Sequence, residues 1–153
     1  MSSTCAICER ILAIRSGVNP LFVAELVTGY VVLADFQLWR GYTIFLCKEH
    51  AEELHHLDRE FRLKFLEEMS LVAEAVYRAF SPVKLNYELL GNSDPHVHWH
   101  IIPRYRDDTA PNQPIWLVDR KLRCSEEARP SAQVIQQLKK SVLEELRKLS
   151  GVD

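Results

Sequence analysis

The sequence predicts an α+β domain in which an antiparallel sheet of about five strands is covered by one long helix and followed by a C-terminal helix. Three observations support this. Short β-rich runs alternate with turn residues, one long amphipathic run interrupts them, and a second amphipathic run closes the chain. Because 153 residues with 47% hydrophobic composition can bury one core, we expect residues 1–153 to form a single domain.

The first half of the chain predicts a short helix and three strands. The segment from Cys5 to Ile14 has the pattern of a knuckle followed by one or two helical turns, which Gly17 and Pro20 end. Strands are predicted at Leu21–Val27, Tyr30–Asp35 and Tyr42–Cys47. Thr28 and Gly29 lie between the first two strands, and this spacing is typical of a tight antiparallel hairpin.

The rest of the chain predicts the long helix, two more strands and the C-terminal helix. Apolar residues recur at helical intervals from Asp58 to Phe80, which indicates a helix packed on one face of the sheet. The remaining elements are strands at Lys84–Leu90 and His96–Ile102, a turn at Gly91–Pro95, a loop at Arg104–Pro114, a short strand at Ile115–Val118 and an amphipathic helix at Ser131–Leu149. The last helix either packs on the body of the domain or binds a partner.

Composition excludes several classes of function. The net charge is only -2 with 26% charged residues, so no overall field favours nucleic acid or an anionic membrane as a partner. Met1–Thr4 lacks the pattern of a signal peptide, and no apolar run approaches the roughly 20 residues of a membrane span. We therefore expect a cytoplasmic protein, in which four cysteines are thiols or metal ligands in preference to disulfides.

Three of the six histidines alternate with apolar residues in the strand predicted at His96–Ile102. On a strand this alternation places the imidazoles on one face and Val97, Trp99 and Ile101 on the other. The histidines therefore line a cleft. They either hold a catalytic metal, since imidazole is a common zinc ligand, or supply a nucleophile that attacks phosphorus. The stretch is His96-Val97-His98-Trp99-His100-Ile101-Ile102.

This stretch resembles the motif of the histidine triad (HIT) family, in which three histidines alternate with apolar residues and two more apolar residues follow. The resemblance covers Cys5 to about Tyr105, including Gly41-Tyr42-Thr43, Lys48-Glu49-His50 and Pro103-Arg104-Tyr105. It implies a HIT-like fold with its core in residues 5–105 and a homodimer whose sheets join across a two-fold axis. Family members, such as those of the diadenosine tetraphosphate hydrolase type, are nucleotide hydrolases and transferases acting at the α-phosphate of phosphoramidates, dinucleoside polyphosphates or nucleotidyl-sugars.

The resemblance implies roles for individual residues around the triad. The middle histidine, His98, is the nucleophile that forms a transient nucleotidyl-histidine, and His100 donates to the oxygens of the same phosphate. Ser93 lies five positions before His98, where the family has a serine or threonine that touches the leaving group; alternatively it caps the turn. Asn92 is placed to contact phosphate or ribose.

Two further positions are predicted to bind substrate. Tyr42 stands where many relatives have a histidine, and it can donate a hydrogen bond but cannot carry a proton at neutral pH. Asp35 corresponds to the ribose-binding position, where a carboxylate accepts both hydroxyls, although it also suits the end of a strand. Arg104 and Arg106 either guide a polyphosphate or lie on the surface.

The resemblance also implies a structural zinc site. Cys5-x-x-Cys8 has the two-residue gap of a zinc knuckle, and bacterial family members complete such a pair with a histidine after the third strand and the first triad histidine, here His50 and His96. Four such ligands leave no open position for water, so the zinc would be structural and not catalytic. With His98 as the nucleophile, the implied chemistry requires no catalytic cofactor. The alternative is reduced cysteines without metal.

Two other functions stay open at this point. A metal-dependent hydrolase would hold zinc with His96, His98 and His100 together, and a regulatory module would bind a nucleotide without turnover. Trp39, Trp99 and Trp116 suit the core, a base pocket or an interface equally.

Overall fold

The computed structural model describes residues 5–150 and contains a five-stranded antiparallel sheet with the order β1-β2-β3-β5-β4. This confirms the α+β class. The strands are β1 (Phe22–Glu25), β2 (Gly29–Leu33), β3 (Thr43–Cys47), β4 (Lys84–Glu88) and β5 (His98–Arg104). The helices are α1 (Ala6–Arg15), α2 (Arg59–Phe80), the single-turn α3 (Arg120–Arg123) and α4 (Ala132–Ser150). Single 3-10 turns lie at Leu54–His56 and Ile115–Leu117.

The hairpin of β1 and β2 is fixed by a buried carboxylate from α2. Glu68 accepts hydrogen bonds from the backbone N–H groups of Val27, at 3.0 Å, and Thr28, at 2.9 Å, and from the Thr28 hydroxyl. Gly29 follows, and a β-carbon there would lie 2.5 Å from the Phe45 ring. Only glycine therefore lets β2 lie this close to β3.

The helices α2 and α4 cover one face of the sheet. Phe65 of α2 stacks on Phe45 of β3 with ring centroids 4.9 Å apart, and both side chains are fully buried. The helix α4 packs against α2 and β1 and buries a stripe of Leu138, Val142 and Leu146. The apolar stripe of the C-terminal helix thus serves packing on the body of the domain.

The helix α1 packs on the opposite face and shares it with the histidines. Its buried isoleucines lie against Tyr30, Val32 and Leu46. In the sheet register Leu46 pairs with His98, so the His98 side chain emerges on this face. Val97 and Ile101 lie in the core on the α2 face, and the partly buried Trp99 packs against it, as the alternation predicted.

Two sequence predictions need correction. Ile115–Val118 is not a strand, because the N–H of Val118 bonds to the carbonyl of Ile115 at 3.1 Å and closes a 3-10 turn instead of joining a ladder. The last strand begins at His98 and not at His96, because the N–H of His96 bonds to the Asp94 carbonyl at 2.7 Å. His96 therefore precedes the strand that carries the other two histidines.

The loop after β5 is anchored by an arginine that the sequence offered for polyphosphate or for the surface. Arg104 is 3% exposed and donates to both carboxylate oxygens of Asp108, at 2.9 and 3.2 Å, and to the carbonyls of Ala110 and Gln113. Both predictions for Arg104 are wrong, because these contacts occupy its guanidinium.

Within residues 5–150, no helix combines the length and apolar character that crossing a membrane requires.

Candidate functional site

Two groups of side chains that could bind a metal or take part in catalysis lie around the start of β5. In the first, the four residues predicted to hold zinc come together from three places: the N-terminus of α1, the end of β3 and the approach to β5. The Nδ1 atom of His96 lies 3.5 Å from the Sγ atoms of both Cys5 and Cys8. The Nδ1 atom of His50 lies 3.4 Å from Cys8 Sγ and 3.2 Å from His96 Nδ1.

These distances fit the edges of a ligand tetrahedron. Zinc bonds of about 2.0–2.1 Å to nitrogen and about 2.3 Å to sulfur give edges of about 3.3 Å between two nitrogens and about 3.6 Å between nitrogen and sulfur. All four ligand atoms lie within 4.8 Å of one another. The donor set of two thiols and two imidazoles is also one that zinc prefers, so the residues fit the metal.

The environment of His96 favours a ligand role. Its Nε2 atom donates to the carbonyl of Cys47 at 2.8 Å, which leaves the lone pair on Nδ1, the atom that faces the sulfurs. Burial lowers the pKa of His96, so the ring stays neutral. Partial burial, and after it the neighbouring Cys5, raises the pKa of Cys8; a cation at this place would favour the thiolate instead.

The second group is a hydrogen-bonded row of three side chains on the α1 face. The Nδ1 atom of His98 lies 2.6 Å from the carbonyl of His96, and its Nε2 atom lies 3.0 Å from Nε2 of His100. The Nδ1 atom of His100 lies 2.7 Å from the hydroxyl of Tyr42. The structure thus brings together three of the residues that the sequence singled out for catalysis and substrate binding.

When both imidazoles are neutral, the row has one consistent pattern of protons. A carbonyl only accepts, so His98 carries its proton on Nδ1 and presents a lone pair on Nε2. His100 must then donate from Nε2 and accept from the Tyr42 hydroxyl at Nδ1. Burial, followed by the repulsion that a protonated His98 exerts, lowers the pKa of His100 to about 4, and burial raises that of Tyr42, so both groups are neutral near pH 7.

A pocket of about 150 Å³ lies beside this row. Its wall includes Asp35 and Tyr42, the two residues predicted to bind substrate, together with Ile44. Asp35 is about half exposed and one of its oxygens, Oδ2, pairs with the guanidinium of Arg10 at 2.6 Å. Its other carboxylate oxygen has no such partner in the described part of the chain.

The remaining two predicted residues lie on the turn before His96. Asn92 and Ser93 are both exposed, and their side chains make no hydrogen bond within residues 5–150. Gly91 opens this turn with a φ of +80°, a conformation that favours glycine. The turn therefore presents both side chains to solvent at the entrance of β5 and does not use Ser93 as a cap.

The 3-10 turn at Ile115–Leu117 and the segment after it contribute residues that the sequence did not assign to the site. The Trp116 ring packs edge-on against His100, with centroids 5.4 Å apart, and its Nε1 donates to the carboxylate of Glu88. The guanidinium of Arg123 lies 5.0 Å from the centroid of the Trp116 ring. Trp116 and Arg123 both line the pocket, as does Cys124. No local sequence pattern identifies these pocket residues, because they are distant from the histidines in sequence and come close to them only when the chain folds.

Comparison with known proteins agrees with the geometry. The family model described as the HIT domain matches residues 23–107. "Protein hit" of Bacillus subtilis is 32% identical over 74 residues, which are 45% of this chain and 51% of that protein, so the chain spans about half the length of this curated relative.

Solved structures extend the likeness to most of the chain. A histidine triad protein from Bradyrhizobium japonicum is 24% identical, with a TM-score of 0.72 over 82% of this chain and 89% of the other. A structure described as a zinc-bound histidine triad family protein from Mycobacterium smegmatis is 19% identical, with a TM-score of 0.58 over 94% and 96%. At these identities the likeness shows the fold.

Proposed function

Because the chain belongs to the HIT domain family, we propose that it is a nucleotidyl hydrolase or transferase acting at the α-phosphate of a dinucleoside polyphosphate or a nucleoside phosphoramidate. The observation that carries the proposal is the fixed tautomer of His98. Its Nδ1–H donates to the carbonyl of His96 at 2.6 Å. Its Nε2 lone pair faces Nε2 of His100 at 3.0 Å, in the row beside the pocket. A neutral imidazole in this state is a nucleophile ready for phosphorus.

The reaction proceeds in two displacements. His98 Nε2 attacks the α-phosphorus, a P–N bond forms, and the bond to the leaving group breaks with its electron pair. Water, or an alcohol in a transferase, then attacks phosphorus, the P–N bond breaks and the proton of the attacking group is released. His100, which donates from Nε2, turns this donor to a phosphate oxygen and stabilises the charge that develops there.

The other predicted residues complete the proposal. Ser93 donates to the leaving group and Asn92 contacts phosphate or ribose from the exposed turn. Asp35 accepts from the ribose hydroxyls with the oxygen that Arg10 does not use. Tyr42 contributes to substrate binding through His100. Its hydroxyl donates to Nδ1 of His100 and so keeps the proton of His100 on Nε2, the atom that donates to the phosphate.

The geometry disfavours a metal site built from all three triad histidines. Both ring nitrogens of His96 are engaged, Nε2 with the Cys47 carbonyl and Nδ1 at the cysteines, so neither is directed to His98 and His100. A binding module without turnover differs from the proposal only in chemistry. It is therefore an outcome of the experiment below.

A single-turnover reaction tests the proposed function. Wild-type protein and His98→Ala are mixed with diadenosine tetraphosphate or adenosine phosphoramidate labelled at the α-phosphate, quenched in base and analysed for label on protein. We expect acid-labile, base-stable label on the wild type and none on His98→Ala. The exposed His55→Ala serves as the matched control and should label normally. Binding without label or turnover in the wild type would leave the binding module.

We also propose that Cys5, Cys8, His50 and His96 hold a structural Zn²⁺. The support is the match of their distances to a ligand tetrahedron, together with the zinc-bound relative from Mycobacterium smegmatis. When bound, the ion supplies a crosslink between chain segments and no open coordination position. The four residues would then tie the start of α1 to the end of β3 and the start of β5.

Finally, we propose that two copies join as a homodimer through the free edge of β4. This strand pairs with β5 on one side only, and it lies at the end of the sheet. Tyr77, Val83 and Tyr87 expose 51%, 56% and 47% of their surface around this edge. Light scattering should show that the wild type is a dimer and that Tyr87→Glu is a monomer. A monomeric wild type would refute the dimer. A cytoplasmic location and the lack of nucleic-acid partners stay predictions.

A further inference from the structure

We propose that Arg123, held on the ring of Trp116, forms an anion subsite beside His100 and binds a phosphate group of the substrate. The inference rests on the proposed function, since it names a group that reads the nucleotide in the same pocket. It also brings into the site the C-terminal third of the chain, which lies beyond the family match at residues 23–107.

The position of Arg123 is fixed by three packed side chains. The Trp116 ring packs edge-on against His100, with ring centroids 5.4 Å apart. Its Nε1–H donates a hydrogen bond to the carboxylate of Glu88 on β4. Because Glu88 pairs with His100 in the register of β4 and β5, this bond locks the indole against the sheet beside the triad. The guanidinium of Arg123 then stacks over the indole at 5.0 Å.

The guanidinium has hydrogen-bonding capacity that the protein does not use. Within residues 5–150, Arg123 forms no ion pair and no side-chain hydrogen bond, and its Nε is buried without an acceptor. Arg104 provides the contrast, since its donors are bonded to Asp108, Asn86 and two carbonyls. A buried donor without an acceptor costs free energy that a bound oxygen would recover.

The charge of Arg123 acts on the row of catalytic side chains. Burial raises the pKa of the Tyr42 hydroxyl most, the charge of Glu88 raises it further, and the charge of Arg123 lowers it. Arg123 and Tyr42 line the same pocket, so an anion bound there would face both the guanidinium and the hydroxyl that donates to His100 at 2.7 Å.

The size and chemistry of the pocket favour a phosphate group. Its volume of about 150 Å³ suits one compact group of a ligand rather than a whole nucleotide. Most of its lining is apolar, including Ile44 and Ile115, so a phosphate would be held by Arg123, the one cationic side chain of the described residues that lines it. A planar guanidinium presents parallel N–H groups that match two phosphate oxygens. The phosphate that binds is either the one attached to ribose or a second one beyond it.

Ligand affinities of full-length variants test the subsite without any turnover. Isothermal titration measures the dissociation constants of adenosine, adenosine monophosphate and adenosine diphosphate for wild type, Arg123→Gln and Arg123→Lys. Arg120→Gln, an exposed arginine of the same helix turn that does not line the pocket, is the matched control. Thermal melting confirms that each variant is folded, and Arg123→Lys retains the charge if Arg123→Gln is unstable.

We expect Arg123→Gln to weaken binding of the phosphorylated ligands about 10- to 100-fold, with adenosine changed by less than about twofold. Arg123→Lys should fall between, and Arg120→Gln should match the wild type. An equal loss for the mono- and diphosphate assigns the phosphate on ribose, and a loss for the diphosphate alone assigns the second phosphate.

Three outcomes would overturn the subsite. Wild-type binding of both nucleotides with unchanged affinity in Arg123→Gln would reject Arg123 and leave the proposed function intact. An equal loss for adenosine would place Arg123 against the nucleoside instead of the phosphate. A wild type that binds none of the ligands would reject the proposed function together with the subsite.

Discussion

Replacing His100 with glutamine should flatten the dependence of the free energy of unfolding on pH below neutrality. In the folded protein the pKa of His100 is about 4, because burial and the neighbouring His98 disfavour its charged form. In the unfolded chain the ordinary value of 6.5 applies. Between these two values the unfolded chain binds more protons than the native protein, so stability falls as the pH decreases from 6.5 towards 4.

The size of the effect follows from the two pKa values. At pH 7.5 His100 is neutral in both states and contributes almost nothing to the pH dependence. At pH 5 the ratio of the proton-binding terms of the two states is about 30, which corresponds to a loss of about 2 kcal/mol. Glutamine keeps a donor for His98 and an acceptor for Tyr42, but it does not titrate.

Urea unfolding followed by tryptophan fluorescence measures this difference at pH 7.5, 6 and 5, with the metal content of both proteins matched. The loss of stability from pH 7.5 to 5 should be about 2 kcal/mol larger in the wild type than in His100→Gln. Exposed His56→Gln should follow the wild type. If the wild type and His100→Gln lose stability in parallel, the neutral, buried state assigned to His100 is wrong.

Three further perturbations have expected outcomes. Asp108→Ala leaves the buried guanidinium of Arg104 without its carboxylate and should lower the free energy of unfolding by about 3–5 kcal/mol in urea titrations; a loss below about 1 kcal/mol would contradict the anchoring role. Gly41→Ala places a β-carbon against the Phe80 ring at a φ of +88°, so it should cost about 2 kcal/mol or more and lower the melting temperature. Mass spectrometry should find about one zinc per chain, and chelation should lower the melting temperature of the wild type but not of Cys8→Ser; equal effects on both would reject the site.

The sheet and its two large helices could be predicted because their signals are local. Helical periodicity from Asp58 to Phe80 and the turn pair Thr28-Gly29 each depend on residues that are neighbours in sequence. The structure adds the reason that this hairpin is fixed, which is the carboxylate of Glu68 reaching back from α2. That contact joins residues 40 positions apart, so no local pattern reports it.

The same distinction explains which parts of the candidate site were missed. His98 and His100 lie on one strand face and were found by alternation, whereas Trp116 and Arg123 reach them only after the chain returns across the sheet. The sequence predicted a strand at the 3-10 turn that contains Trp116, because Ile115–Val118 is apolar and has β-branched residues at both ends. Sequence spacing cannot decide between a ladder and a local turn for so short a run.

His96 explains why the histidine motif supports two sites instead of one. Its ring takes part in the cysteine cluster through Nδ1 and is oriented by the Cys47 carbonyl through Nε2. Its own carbonyl accepts a hydrogen bond from Nδ1–H of His98 and so leaves the lone pair of a neutral His98 on Nε2, the proposed nucleophile. This carbonyl is available because β5 begins only at His98, so the first histidine lies outside the strand. The departure from strict strand alternation at His96 is therefore what allows one residue to connect the cysteine–histidine cluster with Nε2 of His98, the proposed nucleophile.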